Sequence, residues 1–344
     1  MTESDNLDPS RTNTLWRTVR YAVLAIGLAI LVALVIAPEL GRHAFWNGLI
    51  PLAPALLVVA PGLWRNVCPM ATTALLPRHL GISRRGTLSV EWQGRLSLFA
   101  VLLLFALVPL RHVVLDSSGP ATALVLVLLA AVAVTMGFAF DWKSGWCSGL
   151  CPVHPVEKLY GSRPISSFAN AHCTECIQCT TVCPDSTRSM HPFSRPTRAH
   201  RLAAVLLVGG FPGFIWAWFH VPGNDGFASW SQLGWCYGVP LLGALASLLM
   251  FLAARELVPV KHYPTLVRSF AAAAVSCYYW FRLPALVGMG VFPGEGALVD
   301  LSEDLPAELP LLSGIVTTGF FGWWLVLRRA HRREWLVRPA LVER

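Results

Sequence analysis

The sequence predicts an all-α polytopic membrane protein of about eight transmembrane helices, interrupted by one small cytoplasmic insertion, and three observations carry that reading. Of the 344 residues 55% are hydrophobic and only 13% charged, with a mean hydropathy of +0.55. A soluble domain carries roughly 25% charged residues, so this chain cannot cover a water-facing surface. The apolar residues gather into eight runs, each close to the length of about 20 residues that crosses a hydrocarbon layer of about 30 Å. Finally, the basic residues behind the formal charge of +8 sit on alternate loops, which is a signal of membrane topology and not of affinity for nucleic acid.

In chain order, residues 1–18 form a polar cytoplasmic tail. The first run, 19–37, is longer than a secretory h-region of roughly 7–15 residues, and no A-x-A site follows before Pro38, so it reads as a retained helix. The second run, 44–62, leads into a cytoplasmic loop at 64–95; the third and fourth, 96–115 and 121–140, complete the first helical block, 19–140. Residues 141–201 are the only sizeable segment outside the membrane. The runs 202–219, 236–252, 266–283 and 311–327 make the second block, 202–327, and 328–344 is a basic cytoplasmic tail. Pro51, Pro54, Pro61, Pro212 and Pro284 predict kinks whose freed carbonyls neighbouring helices must satisfy.

With the N-terminus in the cytoplasm, 24 of the 27 lysines and arginines fall on the cytoplasmic side. Only Arg42 and Arg111 fall outside, and Arg282 lies near the outer end of the seventh run. An asymmetry of this size sets the orientation under the positive-inside rule. Both termini and the insertion then face the cytoplasm, while the outer loops are short, as at 221–235 and in the acidic stretch 291–308.

Seven of the nine cysteines fall in short motifs on that cytoplasmic side. Cys173, Cys176, Cys179 and Cys183, followed by Pro184, form C-x2-C-x2-C-x3-C-P, the run of bacterial ferredoxins that holds [4Fe-4S] clusters. A tight loop turns three thiolates onto three corners of one cube; the fourth, set one residue further on and followed by proline, reaches a different cluster. Zinc ribbons instead use two C-x2-C knuckles separated by a long gap, and a reducing cytoplasm disfavours a disulfide set. The insertion therefore reads as a small ferredoxin-like iron-sulfur loop.

Upstream, Trp146-Cys147-Ser148-Gly149-Leu150-Cys151-Pro152 makes a C-x3-C-P directly after the fourth run. A half copy, Trp64-Arg65-Asn66-Val67-Cys68-Pro69, follows the second, with Trp64 where the first cysteine would stand. Each copy leads through an apolar stretch to a glycine, Gly81 or Gly161. Two membrane hairpins thus read as a degenerate internal repeat, each delivering a cysteine-proline loop to the same face. The alternative is that Cys68 is an ordinary buried thiol.

On these motifs, residues 44–219 resemble the polyferredoxin-like membrane proteins of the NapH, NosR and CcoG type. The resemblance implies a component of the bacterial inner membrane that transfers electrons through [4Fe-4S] clusters, exchanges them with the quinone pool, and serves a respiratory or metal-cofactor-maturation system. Those relatives carry two ferredoxin runs and two C-x3-C-P motifs. This sequence has one complete run, one complete C-x3-C-P and one half, and it continues through three helices that the resemblance does not predict.

Two cubes require eight ligands, and the motifs supply seven. The simplest assignment gives one cluster Cys173, Cys176 and Cys179 with Cys151 or Cys68, and leaves Cys183 with the remaining two. His154 or His172 would complete that second set, unless both are exposed loop residues. Lys143, Lys158, Arg163 and Arg188 either tune an anionic cube and attract an acidic partner protein or serve as topology determinants alone. Cys236 and Cys277 follow no spacing pattern and read as small apolar fillers. His43, His112 and His220 fall near the outer interface beside Asp116 and Asp225; a haem, a metal or a quinone head group would use such residues, but none pairs across mid-membrane, so they read as interfacial. Arg282 reads as snorkelling to that interface. No Walker loop, dinucleotide fingerprint or nucleophile elbow is present. The expected function is electron transfer, not stand-alone catalysis: one or two cytoplasmic-face [4Fe-4S] clusters link quinol or a cytoplasmic donor to a partner redox enzyme. The alternative is an assembly factor that reduces a metal or cofactor for its partner.

Overall fold

The computed structural model describes residues 9–140, 143–169, 197–223, 229–292, 295–329 and 336–337. The ferredoxin-type run Cys173, Cys176, Cys179 and Cys183, with His172 and Arg188, lies outside these residues. Among the described residues the regular structure is helical, except for a parallel pair of two-residue strands, β1 (Phe168–Ala169) and β2 (Leu336–Val337), and an isolated bridge between Gly86 and Phe140.

Helix α1 (Pro9–Ile36) is followed by α2 (Pro38–Arg42), which passes through a π-helical turn, His43–Leu49, into α3 (Ile50–Val59). Then come α4 (Pro61–Val67), α5 (Pro69–His79), α6 (Val90–Leu110) with a π turn at Arg111–Leu115, and α7 (Gly119–Ala139). A further π turn, Trp146–Leu150, precedes α8 (Val153–Tyr160). The second half holds α9 (Arg198–Trp218), α10 (Trp230–Leu257), α11 (Tyr263–Leu286) and α12 (Leu309–Gly322), which ends in a π turn at Trp323–Leu327. Short hydroxyl side chains set four of the starts: Ser89, Ser118, Thr197 and Ser229 each accept a backbone N–H three residues on, at 3.2–3.3 Å.

Among the described residues six helical segments are long and apolar enough to cross a membrane: Thr14–Ile36, Val90–Leu115, Gly119–Ala139, Arg198–Trp218, Trp230–Leu257 and Leu309–Leu327. Their outward faces are apolar, with Val32, Leu124, Leu128, Leu245, Leu249 and Ile315 about half exposed or more. Hydrocarbon accommodates such faces, and water penalises them. The other two expected spans are helical but differ for identifiable reasons. Region 44–62 belongs to a continuous helical run from Pro38 through the π turn to Val59, which Pro61 ends by driving Ala60 out of the helix, to φ −139° and ψ 62°; Arg42, His43 and Asn47 make its first half polar. Helix α11 runs unbroken for 24 residues but is the core helix. It packs on α9, α12 and α8, burying Val267, Ala271, Ala274, Val275 and Tyr279, and so meets protein on faces that would otherwise have to be uniformly apolar.

Helices α9 and α10 form the most extensive crossing. A Cβ on Gly213 would lie 2.1 Å from the Gly243 carbonyl oxygen, so only glycine lets these backbones approach. Ser247 seals the contact, accepting from Gly213 N and donating to Gly210 O, each at 3.1 Å. Leu207, Phe211, Phe214, Phe251, Val275 and Phe321 fill the core around it. Helices α6, α9 and α11 share a direction, with their starts near the cysteine-proline turns and their ends at the opposite end of the bundle.

Candidate functional site

Cys68 and Cys151 occupy two turns of nearly identical geometry. Each is followed by proline, which disfavours helical dihedrals in the preceding residue; Cys68 adopts φ −56° and ψ 117°, and Cys151 φ −64° and ψ 117°. Each donates its N–H to a tryptophan carbonyl, Cys68 to Trp64 at 2.9 Å and Cys151 to Trp146 at 2.8 Å. Each carbonyl then accepts from the next turn, from Thr72 N at 3.1 Å and His154 N at 3.2 Å. The half copy closes an α turn, four residues back, whereas the full C-x3-C-P closes a π turn, five back. The repeat seen in the sequence is therefore a repeat of backbone geometry. Its two glycines differ in purpose: Gly81, at φ +73°, is required by the turn after α5, while Gly161 keeps a negative φ and packs against Pro61, where a Cβ would come within 3.0 Å.

The two turns meet in one apolar cluster. Ala71 and Ala74 of α5 pack with Ala133 of α7 and with Trp146, Cys147 and Leu150, and Cys68 and Cys151 lie on the rim of this group. Cys147 is buried, and the other two are half-buried. Close packing is enforced at Gly137, whose missing side chain makes room for the carbonyl of Ala74.

Beneath the turns lies a buried charged network. Arg65, just before Cys68, meets Glu157, just after Cys151, with Nε to Oε1 at 2.6 Å and both side chains at most 5% exposed. Arg65 also contacts His154 Nδ1, which lies 3.6 Å from the second Glu157 oxygen. His154 is therefore buried and not an exposed loop residue, and its described partners are Arg65 and Glu157. Lys143 is 1% exposed and Lys158 9%, so these two cations are also part of the packed site and not simply solvated charges. Sequence reasoning passed over Arg65 and Glu157.

Burial raises the three thiols of the two turns: Cys151 is pushed up to about 12, and Cys147 and Cys68 are raised in the same direction. The Arg65 charge opposes burial at each, and Lys143 adds to it at Cys147. As bare thiols they hold their protons at neutral pH, and becoming ligands requires a metal charge to stabilise the thiolate. Among the described residues no three histidine, cysteine, aspartate or glutamate side chains converge closely enough to hold a metal ion. The described donors fit a thiolate-ligated iron-sulfur group in kind only, as soft sulfur donors in or against one apolar cluster, with the Arg65 and Lys143 charges acting on them.

The remaining candidates lie elsewhere. Cys236 is buried with Val113 and Val221, and Cys277 packs at the edge of the main core, both as apolar fillers would. The three outer histidines do not form a set. His43 and His112 line a cavity at the opposite end of the bundle, while His220 is exposed and held to Trp216, with Nδ1 2.7 Å from its carbonyl. Arg282 does not snorkel: it is 4% exposed, and its Nη2 donates to Trp46 O at 2.8 Å and Asn47 Oδ1 at 2.7 Å.

These features define a polytopic helical protein presenting paired cysteine-proline turns at one end, joined underneath by the Arg65–Glu157 pair. Among curated proteins the chain is similar to the ferredoxin-type protein NapH of Escherichia coli (strain K12), with 26% identity over 177 residues that cover 48% of this chain and 55% of that one. The chain thus spans about half the length of this relative. No family model matches, and no solved structure matches.

Proposed function

We propose that this protein is a membrane electron-transfer component that carries one or two [4Fe-4S] clusters on its cytoplasmic face. The observation that supports this most is the geometric repeat: two cysteine-proline turns with nearly the same dihedrals, packed against one apolar cluster, the second of them followed in sequence by C-x2-C-x2-C-x3-C-P. The likeness to a protein described as ferredoxin-type supports it further. In this reading Cys173, Cys176 and Cys179 hold one cluster with Cys151 or Cys68, and Cys183 joins the remaining cysteines. A bound cluster would supply a one-electron carrier. The chain's own part is to gather the cysteines, keep water from them with Trp146, Leu150 and Ala71, and place the Arg65 and Lys143 charges beside an anionic centre. We propose the bacterial inner membrane as its location, with termini and cysteine loops cytoplasmic, quinol or a cytoplasmic reductant as donor, and a partner redox enzyme as acceptor.

Anaerobic purification with iron and sulfide counting and EPR tests this. About four or about eight irons per chain, with a [4Fe-4S] signal, are expected for one or two clusters. Zinc, or no iron, overturns the proposal. Quinol-dependent cluster reduction in membranes separates a respiratory component from an assembly factor.

A further inference from the structure

Three of the 27 basic residues, Arg42, Arg111 and Arg282, do not fall on the cytoplasmic side by the charge rule, and all three converge on one cavity. The cavity has a volume of about 310 Å³, within the range of small-ligand sites. The end of α2, the π turns His43–Leu49 and Arg111–Leu115, and the ends of α9 and α11 build it. Along α6 from Leu96, which touches the Cys147 turn at Gly149, to Arg111 the distance is about 22 Å at 1.5 Å per residue. The cavity is thus remote from the cysteines.

The three cations are not neutralised alike. Arg111 is committed: its Nε donates to Asp116 Oδ1 at 3.0 Å, and its guanidinium lies over Trp46 and Trp218, 4.2 and 4.9 Å from the ring centres. Arg282, at 4% exposure, meets only neutral acceptors, Trp46 O and Asn47 Oδ1, and its Nε has no partner. Arg42 donates to the backbone carbonyl of Asp116 and not to its carboxylate, and its Nε is also without a partner. Facing them is His112, 6% exposed and stacked on Trp218 at 4.4 Å, whose backbone offers it a hydrogen bond. The lining acids are Asp116, already paired, and Glu295, which accepts from Gly223 N at 2.9 Å. Buried cations lacking a counter-ion are costly, and guanidinium groups match the planar oxygens of acids.

We infer that this cavity binds an anionic group, a phosphate-, sulfate- or carboxylate-type oxyanion carried by a small solute or a lipid head group, with Arg42 and Arg282 as its charge partners and His112 as a further hydrogen-bonding contact. The inference uses no cysteine and stands whether or not the protein carries iron.

The full-length protein, delipidated in detergent, is titrated with inorganic phosphate and sulfate by calorimetry. In parallel it is placed in nanodiscs of phosphatidylglycerol or phosphatidylcholine and bound lipid is counted by native mass spectrometry. Saturable binding of the inorganic anions supports a soluble ligand; retention of phosphatidylglycerol over phosphatidylcholine, without binding of the inorganic anions, supports a lipid head group. In either case Arg282→Gln and Arg42→Gln each weaken binding at least tenfold, Arg42→Lys retains part of it, and Lys261→Gln, an exposed cation away from the cavity, leaves it unchanged. Because Arg282 also ties Trp46 to Asn47, Arg42→Gln is the decisive variant if Arg282→Gln does not fold. Absence of saturable binding by both anions together with equal retention of the two lipids, or unchanged binding in Arg42→Gln, overturns the inference.

Discussion

Arg65 and Glu157 are individually unremarkable charges on two different short helices, α4 and α8, yet together they join the two cysteine turns. Removing one partner leaves the other charged and buried, which costs about 3–5 kcal/mol, whereas replacing both with apolar side chains of similar volume is often close to neutral. Arg65→Met should therefore markedly lower the thermal unfolding midpoint in detergent, and adding Glu157→Leu should restore much of it. An additive loss in the double variant would show that the two groups do not act as a pair. Cys68 supports a second prediction at this scale. If the half copy contributes a ligand, Cys68→Ser lowers the iron content of anaerobically purified protein while Cys236→Ser leaves it unchanged; equal iron in both variants would return Cys68 to the role of a plain buried thiol. The motif residues were legible in the sequence because ligand spacing and the pre-proline restriction are local. His154 was not, because its burial depends on α8 lying against α4, and no neighbour in sequence reveals that.

At the scale of elements, helix contacts here depend on backbone approach as much as on side-chain filling. On α10, Gly243 faces Gly213 of α9, while Gly238, one and a half turns earlier, has nothing within 4 Å of the place a methyl group would take. Gly213→Ala should destabilise the protein by about 1–3 kcal/mol through overpacking against a rigid carbonyl. Gly238→Ala should be neutral or stabilise it by about 0.5–1 kcal/mol, since alanine is the better helix former. Thermal unfolding of the two variants side by side checks this, and equal effects would mean that α9 and α10 do not cross at these glycines. The apolar runs located every long helix. Two of the expected spans are not among the six most apolar long segments: one carries Arg42, His43 and Asn47 and ends before Pro61, and α11 packs on α9, α12 and α8 and carries polar groups such as Tyr279, which donates to Pro51 O at 2.6 Å.

For the whole molecule, the charge asymmetry and the direction of the helices make one statement about orientation. Basic residues crowd the end that carries the cysteine turns, and the three exceptions meet at the other end. A fluorescent protein fused after residue 344 should therefore fluoresce, and alkaline phosphatase inserted within 297–305 should be active. The opposite pair of results would reverse the orientation and place the cysteines outside. By itself the sequence determined the helical class, the positions of the apolar runs and the two cysteine-proline turns, since hydropathy and dihedral restriction arise from contiguous residues. Only the tertiary structure decided that the turns share one apolar cluster, that Arg65 and Glu157 pair beneath them, and that Arg42, Arg111 and Arg282 surround a cavity. Each of these joins residues on separate helices, and their proximity is set by how helices pack and not by any local pattern in the chain.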